Sequence, residues 1–291
     1  MRESTPFDAN YYAHGCGRPY VRDDVWLAFF GRIADRIVAD LAPRTAMDVG
    51  CALGFLVESL RARGVDAHGL DVSEYAIGQA HPDVAPYLAV ASATQPLPGR
   101  YDLVTCIEVL EHMPADEAER AVDVLTAAAD TVLFSSSPTD HVEPTHVNVR
   151  PPEEWAAAFA RRGFYRDADF DAAFLTPWAA AFRKVDGPLV GVVAAYERRL
   201  WRLADANAQL REANAGLRAE AAERDRALAE REARLAALSD VDARLQAAEA
   251  RAEAVFGDLE ALRRTRAVRW ASRLGRLRAR WGGPVRGSDE R

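Results

Sequence analysis

The chain has 291 residues, more than one average domain, so one domain plus an extension is the starting expectation. Its net charge of −7 is unevenly spread: residues 1–186 carry −12, residues 187–262 carry −3 and residues 263–291 carry +8. An acidic body with a basic tail excludes the body as the surface for an anionic partner and leaves the tail for it.

In chain order, the aromatic stretch Tyr11–Tyr20 (YYAHGCGRPY) comes first and reads either as a packed arm or as a lid over a site. Asp23–Leu41 is an amphipathic helix, with Trp26, Phe29, Phe30, Ile33, Ile37 and Leu41 on one side. From Thr45 to Lys184 strands and helices alternate. Thr45–Gly50 is a short apolar run stopped by glycine, and Phe55–Arg63 is a helix ended by Gly64. Ala67–Val72 is a second strand, followed by a helix through Ala80 that Ser73 can cap. Tyr87–Val90 and Tyr101–Ile107 are the third and fourth strands. Pro114–Ala129 is a helix opened by proline, and Thr131–Ser136 is the fifth strand. Pro152–Arg162 is a helix, and Phe164–Phe170 with Ala172–Arg183 read as a closing antiparallel pair. Such alternation predicts an α/β fold: a mostly parallel sheet with helices on both faces.

After Gly187, alanine, arginine, glutamate and leucine dominate. Leu200, Leu203, Asn207, Leu210, Asn214, Leu217 and Ala221 alternate at three and four residues, Leu228, Leu235 and Leu238 continue the series, and Leu245, Ala248, Ala252, Val255, Leu259 and Leu262 resume it after a slip. This is a heptad pattern with one stammer, which predicts a long helix and a coiled-coil homodimer. Arg224 and Arg231 at inward positions leave a solitary charged helix as the alternative. The expected organisation is therefore an arm and helix over residues 1–44, an α/β domain over 45–186, a long helix over 187–262 and a basic tail over 263–291. The tail segment Arg263–Trp281 has eight arginines and no acid, with Val268, Trp270, Leu274, Leu277 and Trp281 interleaved, which suits an anionic membrane surface. Nucleic acid is disfavoured, because the body is acidic and no binding motif is present.

MRESTPFDAN lacks an apolar stretch, so no secretory signal is expected, and no run of roughly 18 apolar residues exists to span a bilayer. Cys16, Cys51 and Cys106 have no ligand-like spacing and read as free thiols in a reducing, cytoplasmic compartment, with the tail allowing attachment to the inner membrane face.

Chemistry concentrates at the ends of strands. Asp48-Val-Gly-Cys-Ala-Leu-Gly54 lies between the first strand and the first helix of the alternating region, and Gly50 and Gly54 remove side chains that would block a ligand from the backbone N–H groups. Asp71, about twenty residues on, is placed to accept both hydroxyls of a ribose. The loop lacks the Lys-Ser/Thr pair of a phosphate-binding loop.

These fragments resemble the class I S-adenosylmethionine-dependent methyltransferases: AMDVGCALG is similar to their first motif, GLDVSEYAI to their acidic second motif, YDLVTCIEVLEHMP to their fourth-strand motif and RPPEEWAAAFARRGF to the helix before their last strands. The resemblance covers about residues 7–184 and implies a Rossmann-like seven-stranded sheet and S-adenosylmethionine as cofactor. It implies that Asp48, Gly50, Cys51 and Gly54 surround the methionine part, Asp71 the ribose, Val72 and Ser92 the adenine, and that Ile107 and Glu108 close the pocket. Two departures stand out: the middle glycine of the loop is Ala52, and Ala91-Ser92-Ala93 replaces an acid near the adenine.

A hydroxyl acceptor must lose a proton, usually to histidine or a carboxylate. Glu108, Glu111 and His112 form one candidate cluster, which the resemblance to ubiquinone-type O-methyltransferases associates with magnesium; capping or packing is the alternative. His141, Glu143, Thr145, His146 and Asn148 form another, with His146 preferred as the base. The loosely similar coiled-coil tails of bacterial polysaccharide-assembly enzymes point to a sugar or glycan acceptor. Methylation of a small metabolite at O, N or C and a non-catalytic cofactor-binding assembly module are the competing readings.

Overall fold

The computed structural model describes residues 6–281 and divides into two units, one running to Asp205 and one beginning at Ala206. In the first unit the described residues form a seven-stranded sheet in the order β3-β2-β1-β4-β5-β7-β6. The strands are β1 (Thr45–Val49), β2 (Asp66–Asp71), β3 (Leu88–Val90), β4 (Leu103–Ile107), β5 (Thr131–Ser135), β6 (Phe164–Arg166) and β7 (Ala180–Lys184). The first five run parallel, and β7 runs antiparallel to both β5 and β6. This is the expected Rossmann-like sheet. Strands β1, β4 and β5 are buried almost throughout, which is why they read as unbroken apolar runs.

Alternate residues of these strands feed two cores. Val104, Val132 and Phe134 meet α5 (Ala115–Ala128) and α6 (Pro152–Ala160) through Leu125, Trp155 and Phe159. Leu103 and Leu133 point the other way, to α2 (Asp24–Leu41), which follows the short α1 (Ala9–His14), and to α3 (Phe55–Arg61), where Ile33, Ile37, Leu56 and Leu60 are buried. Phe159 stacks on Phe182 with ring centroids 4.1 Å apart, which fastens α6 to β7. Asp23 caps α2 by accepting the Trp26 N–H, and Ser73 caps the short α4 (Glu74–Gly78) by accepting the Ala76 N–H.

The closing pair is shorter than its apolar content suggests. Residues 167–179 are irregular, because the Asp167 carboxylate accepts the Asp169 and Phe170 N–H groups and Asp171 accepts that of Ala173. These local turns take the donors a ladder would use.

Helix α7 (Val190–Arg264) is continuous through the stammer position, and none of its described residues is buried. Its first turns belong to the first unit, where Arg198 and Arg202 bond Asp169 at 2.9 and 2.7 Å. In the second unit α7 gives way at Thr265, whose hydroxyl donates to the Leu262 carbonyl, to α8 (Arg266–Trp281). Trp270 and Leu274 are exposed there; Val268, Leu277 and Trp281, also assigned to the apolar side, lie outside the described side chains, as do residues 282–291. No described helix is long and apolar enough to cross a membrane.

Candidate active site

The strand order reverses between β1 and β4, and the crevice beyond their carboxyl ends is where an open α/β sheet binds ligands. The loop after β1 forms one wall. Gly50 has φ 81°, and a Cβ there would run into the Val109 side chain on the opposite wall. Ala52, in place of the usual glycine, also takes a left-handed conformation, φ 47°. Its N–H donates to Asp71 Oδ2 at 2.8 Å, and that bond offsets the strain. Cys51 turns into the core: its side chain packs on Gly69, where a Cβ would sit 2.8 Å from Sγ. Gly54 caps α3 at φ 79° and faces Leu88, beneath the cavity. Asp48 is buried under the loop, accepting the Thr105 hydroxyl at 2.6 Å. Burial, reinforced by Asp71 and opposed by that hydrogen bond, pushes its carboxyl up to about 7.

Asp71 ends β2. Its two oxygens accept the N–H groups of Ala52 and Ser73, each at 2.8 Å, so the carboxylate is aimed by backbone and each oxygen keeps a further lone pair for a ligand hydroxyl. Ser92 shares a 2.9 Å hydrogen bond with Thr94.

The opposite wall grows from β4. Glu108 adopts φ 53°, with its N–H on Ser135 and its Oε1 accepting the Trp178 indole N–H at 2.9 Å. One turn on, the Glu111 carbonyl accepts the N–H groups of Val147 and Asn148, and the Asn148 amide donates to the Leu110 carbonyl. These bonds sew the loop after β5 to the turn after β4 and bring His112 and His146 together, ring centroids 4.6 Å apart. The Glu111 side chain is fully buried: Oε1 accepts the Ser137 N–H, whereas Oε2 meets no donor. Burial and then the neighbouring Glu108 push its carboxyl well above the ordinary carboxylate range. Burial drives His112 down to about 4, so its ring is neutral at pH 7. His141 is exposed and stands away from the cavity lining.

The two histidines have defined tautomers. His146 Nδ1 lies 2.8 Å from the Asp140 carbonyl, an acceptor only, so Nδ1 carries the hydrogen and Nε2 a free lone pair. His112 Nδ1 contacts the Thr145 hydroxyl, whose hydrogen goes to Glu143; Nδ1 is again the donor. The Asp140 carboxylate, 3.8 Å from His146 Nδ1, is held ionised by the N–H groups of Val142 and Glu143.

These walls enclose a cavity of about 560 Å³. Gly50, Asp71, Val72 and Ser92 line one side, and Ile107, Glu108, His112 and His146 the other; Asp48, Cys51, Gly54 and Glu111 lie behind it. The sequence left two contributors unassigned. Thr176, which lines the cavity, and Trp178, whose indole N–H holds Glu108, come from the irregular 167–179 connection, which reads as strand. The N-terminal arm supplies Phe7, Tyr11, Tyr12, Cys16 and Tyr20, so it is at once packed and a cover. It is held by the Ser73 hydroxyl donating to the Phe7 carbonyl, and Phe7 meets the His112 ring edge-on at 5.4 Å.

Magnesium, which the resemblance attaches to Glu108, Glu111 and His112, favours oxygen donors. Among the described residues the group whose ligand atoms converge is Glu111, His112 and His146, one carboxylate and two imidazoles. Glu108 is turned toward Trp178 and stands outside it. That donor set does not suit magnesium.

Fold and crevice define a methyltransferase domain. The family model described as a methyltransferase domain matches residues 22–167, half of the chain, and the chain belongs to that family. It is 38% identical over 106 residues to a ubiquinone biosynthesis O-methyltransferase of Methylococcus capsulatus, covering 33% of this chain and 44% of that protein. It is 35% identical over 107 residues to the protein of the same name from Chromobacterium violaceum, covering 34% and 46%. The chain thus spans less than half the length of these curated relatives. A magnesium protoporphyrin IX methyltransferase from Synechocystis, solved with bound S-adenosylmethionine, matches with a TM-score of 0.47 at 21% identity over 60% of this chain and 94% of that one.

Proposed function

We propose that this chain transfers the methyl group of S-adenosylmethionine to a hydroxyl of a sugar or glycan. The observation that supports this most is the meeting, in one cavity, of a ribose-binding carboxylate and a paired imidazole whose Nε2 lone pair is free. The cofactor, when bound, supplies an activated methyl on a sulfonium. The protein's share is then position and proton removal. Asp71 accepts the ribose hydroxyls, and the backbone at Gly50 allows close approach of the methionine part. Val72 and Ser92 flank the adenine. Asp48, Cys51 and Gly54 shape the loop from behind.

His146 takes the acceptor's proton at Nε2. The resulting imidazolium keeps its Nδ1–H on the Asp140 carbonyl and gains the Asp140 carboxylate as counter-ion. His112, driven low by burial, offers a neutral ring beside it. Tyr11, Tyr20 and Trp26 give the cavity aromatic faces on which the C–H face of a sugar ring can stack.

A small-metabolite acceptor, such as an aromatic hydroxyl, is the second reading, supported by the same aromatic wall and by the curated relatives being named O-methyltransferases. Labelled S-adenosylmethionine supplied with glycan extracts and, separately, with simple catechols separates the two. Label in glycan is the expected result; label only in catechols moves the acceptor class, and label in neither, with cofactor bound, leaves an assembly module.

A further inference from the structure

We infer that Glu117 recognises the adenine base of the cofactor, in place of the acid that this chain lacks after β3. This assignment rests on the proposed placing of the ribose at Asp71 and the adenine beside Ser92, and it is independent of the acceptor. The edge of an adenine carries an amino group with two N–H donors, so a site selective for it presents an acceptor there. The segment Ala91-Ser92-Ala93 offers no carboxylate. The Ser92 hydroxyl is turned back on its own loop, where it accepts the Thr94 N–H at 3.2 Å and shares a 2.9 Å hydrogen bond with the Thr94 hydroxyl. The Ser92 carbonyl accepts the Gln95 N–H at 3.0 Å. The loop after β3 therefore keeps its side-chain polar groups to itself.

Glu117 reaches the same cavity from α5. It stands in the first turn of that helix and lines the cavity with Ser92, Ala93, Met113 and Pro114. The connection from β3 to β4 crosses the face of the sheet that α5 covers, since Ala91, Ala93, Leu97 and Met113 belong to one core cluster with the buried side of α5. Three carboxylates line the cavity among the described residues. Asp71 is aimed by backbone N–H groups and Glu108 is held by Trp178, which leaves Glu117 without an assigned role. Its ion-pair partner, Arg120, stands 3.7 Å from Oε1 and is engaged at 2.8 Å by Asp116. The Glu117 carboxylate is thus an acceptor at the cavity wall, on the α5 side of the adenine. The adenine amino group would donate to it in a charge-assisted hydrogen bond. A base with a carbonyl oxygen at that position would set acceptor against acceptor, and the site would disfavour it.

The test is calorimetric titration of the full chain with S-adenosylhomocysteine and with S-inosylhomocysteine, which carries a carbonyl oxygen in place of the amino group. Wild type should bind the adenosyl ligand ~10-fold or more tightly than the inosyl ligand. Glu117→Ala should weaken the adenosyl ligand by ~10-fold and leave the inosyl ligand within ~2-fold, so that the preference collapses. Glu117→Gln, whose amide can turn a donor toward the carbonyl, should bind the two about equally. Asp71→Ala should weaken both ligands alike and keep the preference, because both carry the same ribose. Circular dichroism checks that each variant is folded. A preference that survives in both Glu117 variants, a Glu117→Ala that weakens the two ligands equally, or a wild type with no preference would overturn the inference and leave the cofactor site standing. Binding of neither ligand to wild type would remove the cofactor site and the role of Glu117 with it.

Discussion

At the residue scale, His146 and Asp48 make separable claims. A base at His146 would act on the acceptor and not on the cofactor. His146→Ala should therefore lower turnover by ~10²-fold or more while S-adenosylmethionine affinity stays near wild type. Full turnover in this variant would move the base to His112 or Glu108. Asp48 concerns stability. Burial holds its folded pKa, about 7, above the ordinary value of 3.8. The protonated form is thus the one the fold favours: its contribution is complete below about pH 4 and is lost as pH rises through about 7, at up to roughly 1.4 kcal/mol per pH unit. Asp48→Asn keeps an acceptor for Thr105 and cannot ionise. In cofactor-free protein, the melting temperature of the variant relative to wild type should climb between about pH 5 and pH 7. A difference that is flat with pH would show that Asp48 does not carry this proton.

At the scale of elements, α7 is the part whose surface is unexplained by the first unit. Leu203, Leu210 and Leu217 are each more than half exposed along it, at the spacing of an apolar seam. Asn207 and Asn214 sit between them at successive a positions, where a pair of asparagines favours a two-stranded parallel register. Light scattering at tens of micromolar should give a dimer for the full chain and a monomer for a chain ending at Asp205. Monomers from both would leave α7 a solitary helix. Helix α8 makes a different claim. Its arginines flank exposed Trp270 and Leu274, so the full chain should sediment with vesicles rich in phosphatidylserine, and less so at high salt. A chain ending at Arg264 should stay in the supernatant, and equal sedimentation of the two would remove α8 from membrane attachment.

At the scale of the whole molecule, what was legible in the sequence is what depends on short-range pattern. Strands β1, β4 and β5 announced themselves because burial on both faces demands apolar runs, and Asp71 because its loop and strand lie within twenty residues of each other. The pairing of His112 with His146 was legible only as two separate clusters, since the bonds that join them run from Glu111 to residues 147 and 148. Trp178 on Glu108, 70 positions away in sequence, left no local signal, and the apolar stretch around it imitated a strand. The arm's role over the cavity was likewise open, because its aromatic residues serve packing and covering alike.

The proposed S-adenosylmethionine site lies in the crevice at the ends of β1 and β4, with Asp71 on the ribose. Calorimetric titration of the full chain tests it most directly. The expected result is one S-adenosylmethionine per chain for wild type and at least ~10-fold weaker binding for folded Asp71→Ala, the cost of two charge-assisted hydrogen bonds. Binding of equal strength in both proteins, or in neither, would contradict the account.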